Sequence, residues 1–201
     1  MNVIYEVIKA VRLTLVLWGL VAVIYPLMML TVGQVAFSNQ ANGSLIKNAQ
    51  GEIIGSALIG QPFTSDRYFN SRPSTSNYSS ANPQDDSAGI LKTGVSGASN
   101  LAPSNPALLD RIQTGELSRL KTAGIQPTAD LLYTSGSSLD PHITPAAAKA
   151  QIDRIVRARS LQPNQVETLI AQNTDRRFLG IFGEPGVNVL KLNLALDTLR
   201  K

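Results

Sequence analysis

The sequence predicts a single N-terminal transmembrane helix followed by a mixed α/β (α+β) soluble domain. Two observations support this prediction: an uncharged apolar stretch near the N-terminus, and a later alternation of short strand patterns, turns and amphipathic helices. The chain has 201 residues, of which 43% are hydrophobic and 16% are charged. About 160 residues follow the apolar stretch, enough for one compact domain with a hydrophobic core.

The apolar stretch, Leu13–Val32, has the length of a membrane span. An α-helix of about twenty residues is about 30 Å long, which matches the hydrocarbon core of a bilayer. Pro26 removes one backbone donor and predicts a kink. A buried helix of a soluble protein is less typical of this length without charge. A cleaved signal peptide is disfavoured, because the stretch is long and no small-residue cleavage site follows it.

Charges around the helix predict its orientation. Lys9 and Arg12 precede it and the next basic residue is Lys47, so the N-terminus is expected in the cytoplasm. The predicted organisation is a short cytoplasmic N-terminus (1–12), a transmembrane helix (13–36) and an extracytoplasmic α/β domain (37–201).

The first part of the domain is predicted to be a hairpin followed by a long loop. In Gly43–Ile59, the strand patterns Ser44–Lys47 and Glu52–Ile59 flank the turn Asn48-Ala49-Gln50-Gly51. Residues 61–105 are rich in Ser, Asn, Gly and Pro, which leaves a disordered linker as an alternative. Disordered segments are poor in aromatic residues, but this tract contains Phe63, Tyr68, Phe69 and Tyr78. We therefore expect an ordered, irregular surface loop, the kind of segment that often carries binding residues.

Helices and short strands are predicted for the rest of the domain. Asn105 is a typical N-cap with Pro106 at the first helical position, and Gly124 is a typical stop. The further predictions, in chain order, are a strand at Leu131–Tyr133, a helix capped by Thr144 and Pro145, a helix opened by Pro163, a strand at Phe178–Phe182, and a helix from Asn188.

Charge and cysteine content exclude several classes of function. The formal net charge is +4. The densest basic cluster lies on an amphipathic helix, where it predicts a solvated face rather than an anion or lipid site: Arg154, Arg157 and Arg159. No aromatic residues are interleaved with it, so nucleic-acid binding is disfavoured. The chain has no Cys, which excludes disulfides and thiol chemistry.

His142 is the only histidine, so a metal site with two imidazoles is excluded, and the scattered carboxylates show no ligand spacing. A catalytic triad is formally available from His142, Asp140 and one of Ser135, Ser137 or Ser138. Residues two apart in sequence rarely hold triad geometry, however, and no G-x-S-x-G motif is present. We therefore predict no catalytic and no metal-binding residues. His142 is expected to bond locally beside the helix start at Pro145.

Two loops rich in small residues, Gly94–Asn100 and Thr134–Ser138, can expose backbone N–H groups to an anion. Neither is a Walker A loop, because no Gly-Lys-Ser/Thr follows. Such loops are more often simple turns.

Motifs along nearly the whole chain resemble the KdpC subunit of the Kdp-type bacterial potassium-transporting ATPase. In order they are VIYPL in the helix, QANGSLI (40–46), GSALIGQPF (55–63), YFNSRPS (68–74), SGASNLAPSNP (96–106), TSGSSLDPHITPAAAKAQIDRIVRAR (134–159) and VNVLKLNLALD (187–197). The chain departs from the family at Ala98 and Ser138, where Gly is common.

The resemblance implies a non-catalytic subunit of a pump in the cell (inner) membrane. Its partners would be a channel-like, potassium-translocating subunit, an ATP-hydrolysing subunit of the P-type class and a small subunit that lies in lipid. Two mechanisms are associated with the family. In one, the KdpC subunit acts as a catalytic chaperone that raises the ATP affinity of the ATP-hydrolysing subunit, and the candidate nucleotide contacts are Ser135, Gly136, Ser137 and Gln151.

In the other mechanism, the soluble domain docks on the outer face of the potassium-translocating subunit and stabilises the assembly. The charge bias around the helix favours docking, because ATP is cytoplasmic. The rival classes are a membrane-anchored Ser hydrolase that uses His142 and a free-standing extracytoplasmic sensor.

Overall fold

A computed structural model describes residues 3–48, 50–80 and 94–199. The chain divides into two compact units, Met1–Leu45 and Ile46–Lys201.

The first unit contains one long apolar helix, Val3–Ala36, of 34 residues, whose most apolar stretch has a mean hydropathy of 2.3. None of its most apolar stretch is buried against other parts of the protein. By length and composition the helix is able to cross a bilayer. It fits a membrane-associated, single-pass protein. A short helix α3 (Ser38–Ala41) follows it.

The long helix changes geometry directly before Pro26. Segments α1 (Val3–Gly19) and α2 (Tyr25–Ala36) flank a π-helical turn, Leu20–Ile24. At the end of this turn the Tyr25 N–H donates to the Leu20 carbonyl, five residues back. Proline lacks an N–H, and its ring crowds the preceding turn. A single wide turn is a common way for a helix to accommodate this.

The predicted hairpin is confirmed, with a shorter second strand than expected. Strand β1 (Leu45–Lys47) pairs with β2 (Ile53–Ser56). In the turn, Asn48 Oδ1 accepts from the N–H groups of Gln50 and Glu52 at 3.0 and 2.9 Å, a local bond typical of Asn in turns. Ala49 lies outside the described residues.

The long polar tract is an ordered loop where the structure describes it. Residues 61–80 and 94–105 contain one short 3₁₀ turn, Asn77–Ser79. Phe69 and Tyr78 from this tract are buried. Residues 81–93 of the same prediction lie outside the described residues.

The predicted helix after Asn105 is confirmed. It comprises α4 (Pro106–Asp110), a π-helical segment (Arg111–Glu116) and α5 (Leu117–Ala123). The Asn105 side chain caps it by accepting from the Ala107 N–H at 2.9 Å. Gly124 ends it at φ +67°, a conformation that favours glycine.

The predicted strand at Leu131–Tyr133 is wrong. Residues Ala129–Leu132 form a one-turn helix, α6, with Leu131 fully buried. Asp130 in this turn accepts from the Thr144 N–H at 2.7 Å, which fixes the turn against the start of the next helix. Three apolar residues fit a strand and a buried helical turn equally well, so the pattern alone did not decide between them.

A three-stranded antiparallel sheet has the order β3–β5–β4, with β3 at His142–Ile143, β4 at Thr174–Asp175 and β5 at Gly186–Asn188. His142 pairs with Asn188 and Ile143 with Val187, while Thr174 pairs with Val187 on the other side.

The predicted strand at Phe178–Phe182 is wrong, because these residues form the loop that joins β4 to β5. Phe178 and Phe182 exchange backbone hydrogen bonds of 2.8 and 3.0 Å. Between them Leu179 and Gly180 have φ values of +53° and +75°, which reverse the chain.

Four further helices follow α6 in the described part of the domain: α7 (Pro145–Lys149), α8 (Ile152–Arg159), α9 (Pro163–Gln172) and α10 (Val189–Thr198). The helix predicted from Thr144 is therefore two helices that meet at Ala150-Gln151. The helices and the sheet enclose one apolar core, whose fully buried members include Phe69, Leu120, Leu131, Ile143, Ile155, Val166, Val187, Leu192 and Leu196.

Candidate functional site

Buried side-chain amides hold the loop segment around Phe69 and Asn70. Gln151 Oε1 accepts from the Asn70 N–H at 2.8 Å, and its Nε2 donates to the Asn70 carbonyl at 3.2 Å. Asn193 of α10 makes the same two-point contact with Phe69, at 2.8 and 3.0 Å. Gln151 is 0% and Asn193 2% exposed. The two amides thus take the place of a neighbouring β-strand for an irregular segment whose backbone groups must be satisfied.

Arg154 holds the residues just before this segment. Its guanidinium donates to the carbonyls of Asp66 and Tyr68 at 2.6 and 2.8 Å, and to Gln151 Oε1 at 2.9 Å. The Asp66 carboxylate lies 3.8 Å away and is exposed. Burial lowers the pKa of Arg154, and the charge of Asp66 opposes this shift.

The prediction that Arg154 and Arg159 lie on a solvated face is therefore wrong. Arg154 is buried, and the Arg159 side chain is only 4% exposed. Arg159 pairs with Asp197 at 2.8 Å and stacks over the Tyr68 ring at 4.8 Å. Arg157 is exposed, as predicted. A sequence signal did exist, because Gln151, Arg154 and Ile155 follow the i, i+3, i+4 spacing of one helical face.

The two loops of small residues bond to each other. The Gly97 N–H and the Ser96 hydroxyl both donate to the Ser137 carbonyl at 3.0 Å. The Ser138 hydroxyl donates to the Gly97 carbonyl and contacts the Thr75 hydroxyl. Ser138 is fully buried at φ +62°, the conformation that explains why Gly suits this position. The N–H groups of Gly97 and Ser138 therefore already have protein acceptors.

The four candidate nucleotide contacts lie in different surroundings. Gly136 and Ser137 are exposed, while Ser135 is 5% exposed. Gln151 bonds to Asn70, Ala147 and Arg154. Within the described part of the chain, no hydrogen bond joins Gln151 to the 135–137 loop.

His142 lies in a cluster of charged side chains at the edge of the sheet. Its Nδ1 is 3.5 Å from Asp140 Oδ1, and its Nε2 is 3.4 Å from Asp175 Oδ2. The side-chain contact with Asp140 raises the pKa of His142, against the opposing effect of burial. Burial raises the pKa of Asp140, but bonds from the side chain and backbone of His142, with the charge of Arg72 at 3.2 Å, outweigh it and hold this pKa below its usual value.

His142 thus has the local partner that was predicted, Asp140, and in addition a partner distant in sequence, Asp175, which was not predicted. The Ser137 hydroxyl accepts from the Leu139 N–H at 3.1 Å, and the Ser138 hydroxyl bonds to Gly97. Among the described residues, no group of three or more acidic or histidine side chains has the arrangement of a metal site.

A cleft of about 270 Å³ opens beside the 70–78 segment. Its lining includes Asn70, Arg72, Tyr78, Glu116 and Arg119. Burial raises the pKa of Tyr78 to about 12, so its hydroxyl stays protonated, and it donates to the Arg72 carbonyl. Among the other lining residues, Arg119 and Glu116 form an ion pair at 2.9 Å, so their two charges cancel.

The loop between β4 and β5 exposes four bulky apolar side chains: Phe178, Leu179, Ile181 and Phe182. At its base, one guanidinium nitrogen of Arg177 lies 2.9 Å from both carboxylate oxygens of Glu184.

Comparison with known proteins decides the family. A family model described as "KdpC: K+-transporting ATPase, c chain" matches residues 7–198. The chain belongs to the KdpC family. A KdpC subunit 1 of a potassium-transporting ATPase from Nostoc sp. is 67% identical over 195 residues, covering 97% of this chain and 96% of the relative.

Two further KdpC subunits of potassium-transporting ATPases are similar along almost their whole length. The protein from Microcystis aeruginosa is 63% identical over 202 residues, covering 95% of this chain and 94% of the relative. The protein from Synechocystis sp. is 60% identical over 188 residues, covering 94% and 95%. The resemblance seen in the sequence motifs is confirmed.

Proposed function

We propose that this chain is a non-catalytic subunit of an ATP-driven, high-affinity potassium import complex, needed for assembly and stabilisation of the pump. The observation that carries the proposal is the match to the KdpC family over residues 7–198, which includes most of the apolar helix and nearly all of the folded domain. The relatives' names refer to a potassium-transporting ATPase.

The chain's own residues support an accessory role. It lacks the Asp-Lys-Thr-Gly-Thr motif that a P-type ATPase phosphorylates, so ATP hydrolysis falls to a separate ATP-hydrolysing subunit. A potassium pathway needs several converging elements, which one helix does not supply. The pathway therefore falls to a potassium-translocating subunit, and a further small subunit in lipid completes the complex.

The soluble domain is proposed to lie outside the cell (inner) membrane and to dock on the potassium-translocating subunit. Lys9 and Arg12 lie near the N-terminal end of the helix, whereas Lys47 is the first basic residue beyond its other end. Basic residues are retained in the cytoplasm, so this asymmetry supports a cytoplasmic N-terminus. A domain on the outer side meets the potassium-translocating subunit but not cytoplasmic ATP.

The second candidate is a catalytic chaperone that raises the ATP affinity of the ATP-hydrolysing subunit. The exposed loop residues Gly136 and Ser137 favour it, since both are accessible to a ligand. The amide of Gln151 is already bonded to Asn70 and Arg154. A nucleotide that used Gln151 would have to replace these bonds.

Topology separates the two candidates, and a chain without Cys makes the measurement clean. Single cysteines at Ser80 and Asn2 are introduced into the pump in intact cells, which are treated with a membrane-impermeant maleimide. Labelling at position 80 and not at 2 is expected, and supports docking from outside. The reverse pattern would refute this orientation and restore direct nucleotide contact. Permeabilised cells, in which both positions should react, are the control.

A further inference from the structure

The loop Phe178–Phe182, hereafter the apolar loop, is the most exposed apolar feature among the described residues of the domain. Its four bulky side chains are 71%, 74%, 73% and 61% exposed. For side chains of roughly 150–200 Å² each, these fractions leave on the order of 400–500 Å² of apolar surface in water. The largest exposed apolar patch of a protein commonly has about this size and is often functional.

The apolar loop is held rigid before any partner binds. Its backbone closes through the two Phe178–Phe182 hydrogen bonds, and the Ile181 N–H donates to the Phe178 carbonyl at 3.1 Å. The Arg177–Glu184 ion pair joins the two arms below it. A preorganised loop loses little conformational entropy on binding, so more of its burial free energy contributes to affinity.

Leu179 occupies a conformation that costs free energy. Its φ of +53° is unfavourable for a residue with a branched side chain, yet the side chain gains few contacts in the domain, being 74% exposed. Strain of this kind concentrates at functional sites. Burial against a partner would supply the contacts that the domain does not.

Charge around the apolar loop favours a protein partner over lipid. Its flanks carry two basic residues, Arg176 and Arg177, and two acidic ones, Asp175 and Glu184. This balanced set lacks the basic excess that draws a segment to anionic headgroups. An apolar centre with a rim of charged side chains is the usual anatomy of a protein interface.

We propose that the apolar loop inserts into an apolar pocket on the outer face of the potassium-translocating subunit and is a principal contact of the docked domain. This inference rests on the proposed function. About 400–500 Å² is roughly half of what one partner contributes to a standard interface, so the loop is an anchor within a larger contact rather than a complete dimerisation surface.

Site-specific photocrosslinking in the intact pump tests the proposal. A benzoyl-phenylalanine photocrosslinker replaces Phe182 in cells that produce the whole complex, and crosslinked products are identified by mass spectrometry. A covalent product with the potassium-translocating subunit is expected. A product with a second copy of this chain, with lipid, or with no partner would overturn the proposal.

The same photocrosslinker at Tyr133, an exposed aromatic outside the apolar loop, distinguishes a failure of the loop contact from a failure of docking itself. Crosslinking to the potassium-translocating subunit from position 133 but not from 182 would refute the apolar loop as the contact and leave docking intact. No product from either position, in a complex that still co-purifies, would refute docking as well.

A matched pair of variants measures the contribution of the apolar side chains. With the photocrosslinker at Phe178, the double variant Leu179→Asn/Ile181→Ser is expected to reduce crosslinking to the potassium-translocating subunit about tenfold, as truncation of an interface anchor does. Asn tolerates the positive φ at position 179, so the loop keeps its shape. The control Leu58→Asn/Leu109→Ser alters exposed apolar residues elsewhere and should leave crosslinking unchanged. Equal yields from both double variants would count against the proposal.

Discussion

Replacing Gln151 by Leu tests whether its amide stabilises the fold. Gln151→Leu keeps a similar volume and removes all four bonds that the amide makes to Asn70, Ala147 and Arg154. Both backbone groups of Asn70 then lose their side-chain partner. Each unsatisfied group costs about 1–3 kcal/mol, and the added apolar burial offsets part of this, so we expect a loss of about 3 kcal/mol in the free energy of unfolding.

Urea denaturation of the full-length chain in detergent, followed by pulse proteolysis, measures this loss. With a slope of about 2 kcal/mol per molar urea, the midpoint should fall by about 1.5 M. Gln172→Leu makes the same chemical change at an exposed position of α9 and should shift the free energy by no more than about 0.5 kcal/mol. Asn193→Leu removes the equivalent two bonds to Phe69 and should behave like Gln151→Leu.

Equal midpoints for Gln151→Leu and Gln172→Leu would refute the structural role. If Gln151→Leu were also as stable as the unaltered chain but abolished an effect of this chain on ATP affinity, the nucleotide role would replace it.

Three other perturbations have defined outcomes. In Gly60→Ala the new Cβ would lie 2.7 Å from the Tyr78 ring and 2.8 Å from the Asp140 carbonyl oxygen. Because these distances are too short for van der Waals contact, we expect about 1–3 kcal/mol of destabilisation, measured as a lower Tm. The pKa of His142 is raised in the fold, so its stabilising contribution should be complete below its ordinary pKa of about 6.5 and should disappear as pH rises through the folded value. A plot of Tm against pH should therefore show a step in the unaltered chain that His142→Gln lacks. His142→Ala should leave potassium transport nearly intact. Leu20→Arg puts a charge in the helix at a cost of at least about 2.5–3.5 kcal/mol and should abolish assembly, measured as the yield of tagged complex, whereas Leu20→Ala should not.

The limits of helices were predictable because their signals are local. Asn105 bonds to an N–H two residues ahead, and the Thr144 side chain accepts from the Ala147 N–H three residues ahead. Gly124 ends its helix through its own φ. Such signals act within one turn of the chain, so they can be recognised without knowing the fold.

The sequence did not decide which structure the short apolar runs adopt. Leu131–Tyr133 and Phe178–Phe182 have similar composition, yet the first belongs to a helical turn anchored by the buried Leu131 and the second is an exposed loop. A run of three to five apolar residues carries no period long enough to distinguish these outcomes. Whether such a run is buried depends on what the rest of the chain places beside it.

The sequence by itself determined the family, the apolar helix and the order of most helices, because these depend on motif identity, on length without charge and on caps within a few residues. Only the tertiary structure decided which polar groups are buried. Arg154 and Gln151 have the composition of a solvated helix face, but their partners, the backbone groups of residues 65–70, lie more than eighty positions away. Burial of a charged or amide side chain is stable only where such distant groups satisfy it, and folding alone brings them together.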